Sequence, residues 1–353
     1  MCGIVGAIGL KLSAYISNSI VDTLKHRGPD DRGYILDQDK VFLGHRRLSV
    51  IDLSNLGKQP MSNDSGTLWI TYNGEIYNYR EIRSGLEKKG YKFKSQTDTE
   101  VILRLYEEKG EACVNDLNGM FAFAIYDKQK QKLFLARDRL GIKPLYYALQ
   151  NNNFVFASEI KAILATNLIS KDINWQSIYH YFSFLFVPCP ETAFSEIKQL
   201  PPAHYLILDL NTMKFNLTSY WCPYKGTDLE SADYNDLKLH LRNLLNESVK
   251  MQLIGDVPLG LFLSGGVDSS ILAILAAKNS SSRLKTFTVA FEGEELALYD
   301  ERKGARRISK QVDSEHIEIV LDKPDPGLIL DLLDCFDQPF ANPTFYLSYL
   351  ISF

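Results

Sequence analysis

Short hydrophobic runs, separated by turn residues, dominate the first 210 residues of the chain. Many of these runs alternate with polar residues, a pattern typical of strands that bury one face. A helix is predicted from the capping-box pattern Thr97-Asp98-Thr99-Glu100, and its apolar positions continue to Tyr106. We therefore expect layered sheets with helices outside them. The predicted strands are Ile4–Leu10, Val41–His45, Leu68–Asn73, Phe121–Asp127, Lys132–Asp138, Phe154–Ser158 and His204–Asp209.

The hydrophobic pattern changes near residue 235, after a proline-rich stretch at 187–202 that we interpret as a connecting segment. A helix is predicted first, with Leu237, Leu241 and Leu244–Leu245 on one face. Strands and helices then alternate, and this order predicts a parallel sheet. The alternating elements are the strand Leu259–Leu263, the helix Ser269–Ala277, the strand Thr286–Phe291, the helix Glu301–Val312 and the strand Ile317–Leu321.

Length and composition suit two domains, because 353 residues with 45% hydrophobic side chains can bury two cores. The net charge is −4 and no basic stripe occurs, so a nucleic-acid partner is not expected. The five scattered cysteines and six histidines form no disulfide framework and no zinc motif. Without a signal peptide before Cys2 or a long apolar stretch, the sequence predicts a cytoplasmic protein with no membrane association.

A cysteine at position 2 is the first candidate for chemistry. If Met1 is removed, Cys2 carries a thiol and a free α-amine on one residue. Because an α-amine has a pKa of about 7.7–8.0, much of it is unprotonated near neutral pH. It can take the thiol proton, so Cys2 needs no histidine partner to act as a nucleophile.

A second candidate is the glycine turn that joins a predicted strand to a predicted helix in the second half, Ser264-Gly265-Gly266-Val267-Asp268-Ser269. Glycines let backbone N–H groups approach a ligand, and the helix N-terminus favours negative charge, so the turn suits phosphate. No lysine follows the glycines, which excludes a Walker loop, and the spacing is not that of a dinucleotide fingerprint. The turn is similar to the pyrophosphate-binding loop of ATP pyrophosphatases.

Taken together, the motifs of the chain resemble the two-domain, glutamine-dependent asparagine synthetases of the B type. The resemblance covers nearly the whole sequence, and several long motifs occur in the family's order. They are Met1–Gly6, His26–Asp30, Gly44–Asp52, Tyr72–Asn78, Thr97–Glu100, Ala136–Tyr146 and residues 264–270.

The resemblance implies two domains of different fold. An N-terminal-nucleophile glutaminase domain, an α+β αββα sandwich and class II glutamine amidotransferase, is expected at 2–210. A linker is expected at 211–235. An α/β parallel-sheet ATP-pyrophosphatase domain is expected at 236–353. The partners implied are small substrates, namely L-glutamine, L-aspartate and ATP, and a homodimer is a further expectation.

The resemblance also implies roles for residues of the first domain. Cys2 would attack glutamine, while Asn73 and the Gly74 N–H would hold the oxyanion. Arg47 would bind the glutamine α-carboxylate, with Arg46 as a competitor for that role. Asp98 and Glu75 would bind the amine and the amide end of the glutamine substrate. The predicted glutamine site is completed by Leu48, Ser49, Val50 and Ile51.

In the second domain the resemblance implies an ATP site at Leu263, Ser264, Gly265, Gly266, Val267, Asp268, Ser269 and Val289. Asp268 would bind Mg²⁺, a cation that prefers oxygen ligands. Aspartate would be activated as aspartyl-AMP and then amidated by ammonia from the first site. ATP and Mg²⁺ are the expected cofactors.

The chain departs from the family pattern at two places. Family members continue well beyond Phe353, and an acidic, glycine-rich SGEGxDE motif is not found, so we expect an incomplete second domain. Ala290 stands where a glycine is usual beside the nucleotide.

Three other functions remain open. The same machinery could amidate another carboxylate, for example in a surface polysaccharide or a peptide-like product. The glutaminase domain could act alone or serve another transfer, as in glucosamine-phosphate synthase, although the 264–270 turn argues against that enzyme. The chain could also be a non-catalytic regulatory protein.

Overall fold

The structure, a computed structural model, describes residues 1–9, 13–37, 40–223, 233–291, 300–321, 325–333, 335–342 and 344–352. It divides into two compact units. The first comprises Met1–Lys225 with Asp337–Phe340, and the second comprises Gly226–Phe336 with Ala341–Phe353. In the described part of the chain, no helix has the length and apolar character needed to cross a membrane.

Two antiparallel sheets, each of six strands among the described residues, form the first unit. Their strands are numbered in chain order. One sheet contains, in spatial order, β10 (Ile197–Gln199), β8 (Tyr146–Gln150), β9 (Asn153–Ala157), β1 (Gly3–Ile8), β3 (Val41–Arg47) and β2 (Asp31–Asp37). The other contains β12 (Phe215–Ser219), β11 (His204–Asp209), β7 (Lys132–Arg137), β6 (Gly119–Asp127), β5 (Leu68–Ile76) and β4 (Met61–Ser62).

The two sheets pack face to face, and strand alternation assigns each side chain to a layer. From β1, Ile4 and Ile8 enter the core between the sheets, which also takes Ala124 and Leu135 from the second sheet. Val5 and Ala7 enter a separate core on the outer face of the first sheet. The helices of this unit are α1 (Ala14–Asp22), α2 (Tyr79–Lys88), α3 (Asp98–Lys109), α4 (Ile160–Leu164) and α5 (Trp175–Phe184).

Helices cover the outer face of each sheet. The outer core of the first sheet contains Ile20 and Val21 of α1 and Ile163 of α4, while α3 packs against β5 of the second sheet. The order of layers is helix, sheet, sheet, helix, which confirms the predicted αββα sandwich. Both faces of β1 are buried, one against the helices and the other against the second sheet. Every residue of this strand is therefore apolar.

The N-terminus of α3 shows half of the predicted capping box. Thr97 Oγ1 accepts a hydrogen bond from the Glu100 N–H at 3.2 Å. The Glu100 carboxylate does not reach back to the Thr97 N–H; it accepts from the N–H groups of Lys94 and Ser95. The carboxylate therefore orders the segment before the helix, and Asp98 becomes the first residue of α3, which packs against β5.

The second unit contains a parallel sheet with β14 between its two neighbours, which confirms the predicted α/β class. A small core of Leu263, Ala273, Ala305 and Ile308 joins the sheet to its helices. The described strands and helices are β13 (Gly260–Phe262), β14 (Lys285–Phe291), β15 (Glu315–Leu321), α6 (Tyr234–Gln252), α7 (Val267–Asn279), α8 (Arg302–Gln311), α9 (Pro326–Leu333) and α10 (Thr344–Ser352).

Some strands of the first unit were not predicted from the sequence. β12 lies inside the predicted linker 211–235 and pairs with β11, so the first unit extends beyond residue 210. β10 lies inside the proline-rich stretch and pairs with β8. Both are short edge strands. β10 pairs with a strand about 50 residues earlier and β12 with the strand just before it, and in each case the pairing, which a local hydrophobic pattern does not report, defines the strand. Residues 224–232 of the predicted linker, and Leu10 of the first predicted strand, lie outside the described residues.

Candidate functional site

A cavity of about 140 Å³ opens beside Cys2 in the first unit, at the N-terminal end of β1 and among residues of β3, β5 and α3. It brings together most of the predicted glutamine site, although these residues are distant in sequence. The predicted residues that line it are Cys2, Arg47, Leu48, Val50, Ile51, Asn73, Gly74, Glu75 and Asp98. Ser49 is not among the lining residues, and its N–H donates to the Asp30 carboxylate at 2.8 Å.

The Cys2 thiol lies against the backbone of Leu48. The Leu48 N–H donates to Cys2 Sγ at 3.4 Å, and Sγ lies 3.6 Å from the Leu48 carbonyl oxygen. Burial raises the pKa of the Cys2 thiol above its usual range, with the Leu48 hydrogen bond opposing that rise. A buried thiol of this kind requires a base for activation. Burial also lowers the pKa of the α-amine that the unprocessed chain carries on the adjacent Met1.

Asn73 and Gly74 line the cavity near the end of β5. The Asn73 side chain is 1% exposed, and its Nδ2 has no hydrogen-bond partner within the described residues. Such a buried, unpaired donor costs about 1–3 kcal/mol unless a ligand supplies an acceptor. A Cβ on Gly74 would lie 2.2 Å from the Met120 carbonyl oxygen, so only glycine allows this approach of β5 to β6. Both residues line the cavity, and Asn73 Nδ2 is a buried donor there without an acceptor among the described residues.

Strand alternation separates the two candidate arginines of β3. Arg46 turns away from the cavity, and its Nε donates to the Gly28 carbonyl at 2.9 Å. Arg47 lines the cavity and donates to the carbonyls of Ile51 at 3.2 Å and Ser54 at 3.0 Å. Its guanidinium therefore holds the 48–57 loop in place beside Cys2. A Cβ on Gly57 would lie 2.0 Å from Arg47 Nη2. The absence of a side chain at Gly57 therefore leaves space for the guanidinium.

Two carboxylates occupy another part of the cavity lining. Asp98, 5% exposed, accepts hydrogen bonds from Tyr72 Oη at 2.7 Å and from the Ile76 N–H at 3.0 Å. Burial raises the pKa of Asp98, while these hydrogen bonds oppose the rise. Burial also raises the pKa of the half-buried Glu75, and the charge of Lys143 opposes it. These acceptors give the cavity an acidic region that suits an ammonium or amide group.

Several lining residues were not predicted from the sequence, and they are Met1, Gly57, Gln59, Tyr72, Thr97, Thr99, Met120 and Lys143. Lys143 comes from a turn that the motif at 136–146 builds. The Asp138 carboxylate accepts from the N–H groups of Ile142 and Lys143 at 2.9 and 3.0 Å, and Arg137 Nε donates to the Lys143 carbonyl at 2.8 Å. The motif was visible in the sequence, but the position of its lysine depends on this buried network.

The glycine turn of the second unit lies between β13 and α7, as predicted. Gly265 has φ +81°, and a Cβ there would lie 2.6 Å from the Ala305 nitrogen. Ser264 Oγ and Ser269 Oγ are 2.9 Å apart, and the Gly266 N–H donates to Ser264 Oγ at 3.3 Å. The turn is therefore pre-shaped, with backbone N–H groups and hydroxyls at the N-terminus of a 13-residue helix.

The other predicted nucleotide residues of the second unit differ in accessibility. Val267 and Asp268 are exposed in the first turn of α7, and Val289 is half-buried on β14. Leu263 is 1% exposed and packs into the small core with Ala305, so its side chain serves the fold. Ala290 is fully buried. Among the described residues no three acidic, histidine or cysteine side chains form a metal cluster, so Asp268 would need ligand oxygens to complete a cation site.

The first unit is an αββα sandwich with Cys2 just before β1, a strand in the middle of its sheet, and this arrangement is typical of the N-terminal-nucleophile fold. The sequence profile of the family described as glutamine amidotransferase domain matches residues 1–221, and that of asparagine synthase matches residues 240–352. The chain therefore belongs to the glutamine-hydrolysing asparagine synthetase family, a family of carbon–nitrogen ligases with glutamine as amido donor.

Individual relatives agree with this assignment. A protein of Methanocaldococcus jannaschii, provisionally named asparagine synthetase (glutamine-hydrolyzing) 2, is 36% identical, and the match covers 100% of this chain and 71% of that protein. Asparagine synthetase (glutamine-hydrolyzing) 1 of Bacillus subtilis is 37% identical over 100% of this chain and 55% of its own length. Asparagine synthetase B of Escherichia coli is 33% identical over 90% and 54%. The chain thus spans about half the length of the last two relatives.

Proposed function

We propose that this chain hydrolyses glutamine at Cys2 and that its second unit uses the released ammonia to convert aspartate to asparagine with MgATP. The observation that carries the first part is the cavity beside Cys2, where a nucleophile, an unpaired amide donor, an arginine and two carboxylates converge. Family membership supports the second part.

The glutaminase step begins with proton transfer within one residue. After removal of Met1, the Cys2 amine takes the thiol proton, and the sulfur attacks the side-chain carbonyl of glutamine. The developing oxyanion accepts hydrogen bonds from Asn73 Nδ2 and the Gly74 N–H. The amine then returns the proton to the departing ammonia, and water hydrolyses the thioester to glutamate. The α-carboxylate of the substrate binds at Arg47, and its amine at Asp98 and Glu75.

The synthetase step takes place at the turn between β13 and α7. Its hydroxyls and N–H groups bind the ATP phosphates, and the aspartate carboxylate attacks the α-phosphorus to give aspartyl-AMP and pyrophosphate. Ammonia then displaces AMP. The single exposed carboxylate of Asp268 fits Mg²⁺, which binds through one or two carboxylates together with substrate phosphates. When bound, Mg²⁺ would neutralise phosphate charge.

The purified chain should be incubated with glutamine, aspartate and MgATP, and glutamate, asparagine and AMP should be measured separately. Equimolar asparagine and AMP would support the whole proposal. Glutamate without AMP would limit the activity of this chain to the first unit. AMP formation that depends on a carboxylate other than aspartate would identify another acceptor, and absence of glutamate would contradict the glutaminase assignment.

Gly57→Ala tests the position of Arg47. The added methyl group would displace the guanidinium, so we expect a rise of roughly 10-fold in KM for glutamine from loss of a charge-assisted hydrogen bond, with kcat less affected. Steady-state glutamate release measures both constants. Gly85→Ala is the matched control, because no atom lies within 4 Å of its added Cβ. An unchanged KM for Gly57→Ala would contradict the role of Arg47.

Asp268→Asn tests the cation role in the second unit. We expect MgATP-dependent AMP formation to fall at least roughly 10-fold while glutamine hydrolysis is retained, since Mg²⁺ loses its carboxylate ligand. Asp236→Asn is the control, because Asp236 is also an exposed first-turn acid, on α6, and shares only the helix-dipole contribution. If the two substitutions had equal effects on AMP formation, Asp268 would act only through its charge at the N-terminus of α7 and would not bind the cation.

A further inference from the structure

The N-terminal residue is attached to the fold by contacts that lie outside the cavity. Cys2 precedes β1, and chain ends are poorly ordered unless they are tied down. Ser158, just after β9, accepts a hydrogen bond from the Ile4 N–H at 3.0 Å through Oγ and donates its own N–H to the Ile4 carbonyl at 2.8 Å. These bonds anchor the start of β1, and the Leu48 backbone contacts the Cys2 thiol, whereas the Cys2 carbonyl is held by a different contact.

Arg27 supplies that contact. Its Nε donates to the Cys2 carbonyl at 2.9 Å, and its Nη1 donates to the Glu159 carboxylate at 2.8 Å. The Arg27 side chain is 9% exposed and that of Glu159 is 15% exposed, so solvent screens this ion pair less than a surface pair. A planar guanidinium that binds two acceptors has one orientation, and its orientation here determines where the carbonyl of Cys2 lies.

Glu159 is the centre of a wider charge network. His26 Nε2 lies 2.9 Å from its carboxylate, and Lys161 Nζ lies 3.5 Å from it. Lys161 in turn lies 3.4 Å from Asp337, in the segment 337–340 that is part of the first unit. Burial raises the pKa of Glu159, but hydrogen bonds from His26 and Arg27 more than offset this and lower the pKa to about 2. These hydrogen bonds therefore favour the charged form of the carboxylate.

We propose that Glu159 is a positioning residue for the nucleophile: by fixing Arg27 it fixes the Cys2 carbonyl, and so orients the Cys2 thiol and amine toward the cavity. This inference rests on the proposed glutaminase function. Neither Arg27 nor Glu159 lines the cavity, so their contribution passes through the backbone of Cys2 and not through glutamine.

The test is a double-mutant cycle with Glu159→Gln and Arg27→Gln in the full chain, measured by glutamate release. Each single change should lower kcat roughly 10- to 100-fold with little change in KM, the loss expected when a reacting group is misplaced. Because both residues act on one carbonyl, adding Glu159→Gln to Arg27→Gln should change kcat by no more than about 2-fold. Effects that multiply in the double variant would overturn the proposal.

Two further variants separate positioning from stability and from charge. Glu107→Gln removes a largely buried ion-pair partner of Arg104, in another ion network of the same unit. If kcat fell as much in this variant as in Glu159→Gln, the effect of Glu159→Gln would be purely structural. Arg27→Lys keeps the charge but cannot bridge both acceptors, and it should behave like Arg27→Gln. Wild-type kcat in Arg27→Lys would contradict the proposal.

The rate of Cys2 alkylation by iodoacetamide, followed by mass spectrometry, distinguishes failure of this inference from failure of the proposed function. A wild-type chain that releases no glutamate would contradict the proposed function. Even if the wild-type chain is inactive, slower alkylation of Cys2 in Glu159→Gln and Arg27→Gln than in the wild type would support the positioning role of Glu159. Unchanged alkylation and unchanged kcat in these variants would reject it.

Discussion

Cys2→Ala is expected to abolish glutamine hydrolysis, with a fall in kcat of at least about 10³-fold, because removal of a covalent nucleophile leaves only binding and oxyanion contacts. The Leu48 N–H and the cavity would remain, but no other group that lines the cavity is a thiol. Ammonia-dependent AMP formation should persist, since Cys2 belongs to the first unit and the glycine turn to the second. Glutamate release and AMP formation, measured on the same preparation, check both statements.

Cys222→Ala is the matched control for this substitution. Cys222 is a free, exposed cysteine in the same unit, outside the cavity, and its removal should leave glutamine hydrolysis within about 2-fold of wild type, as surface changes usually do. If a folded Cys2→Ala protein lost the ammonia-dependent reaction as well, the account of two separate sites would be wrong. Retained glutaminase activity would exclude Cys2 as the nucleophile.

Asn73→Ala is expected to have the second largest effect, a fall in kcat of about 10²–10³-fold, the usual loss when one oxyanion donor is removed. KM should change little, because the donor is used mainly as negative charge develops on the carbonyl oxygen. Thermal stability should be maintained: Asn73 Nδ2 is buried without a partner among the described residues, so its removal relieves a desolvation cost of about 1–3 kcal/mol. Steady-state kinetics and thermal unfolding together provide the measurement.

Asn78→Ala is the control that should show the opposite pattern. Its side chain donates to the Asp116 carbonyl at 2.9 Å and accepts from the Asn118 N–H at 3.0 Å, so both ends of the amide are used by the fold. We expect lower thermal stability and nearly wild-type kcat. A similar loss of kcat in both variants would assign Asn73 a structural role in β5 and would remove it from the proposed oxyanion site.

Local sequence patterns predicted the main strands and helices well, but they placed boundaries and edges less well. β5 continues to Ile76, beyond the predicted end at Asn73, because its pairing with β6 extends to the Ile76–Gly119 pair. Helix α7 begins at Val267 and not at Ser269, since the turn ends at the extended residue Gly266. β2, rich in charged and half-buried residues, is a strand only because β3 lies beside it.

The candidate site shows the same division. Cys2 and Asn73 belong to motifs in the printed sequence, and the structure places both at one cavity. Lys143 lies in a motif too, and Asp138 builds its turn locally, but the place of that turn in the fold depends on distant contacts such as that of Arg137 with the Leu200 carbonyl. Glu159 carries no sequence signal for its contact with Arg27, which lies 132 positions away.

The sequence by itself determined the family and the order of its two folds, and it predicted Cys2 as the nucleophile, because these follow from motif residues and from periods that each segment carries alone. Only the tertiary structure showed that Arg47 lines the cavity while Arg46 does not, that Asn73 Nδ2 lacks a partner among the described residues, and that Cys2 is connected to Glu159 through Arg27. Those features depend on which distant segments pack together, and burial and hydrogen bonding are properties of the packed chain, not of a segment.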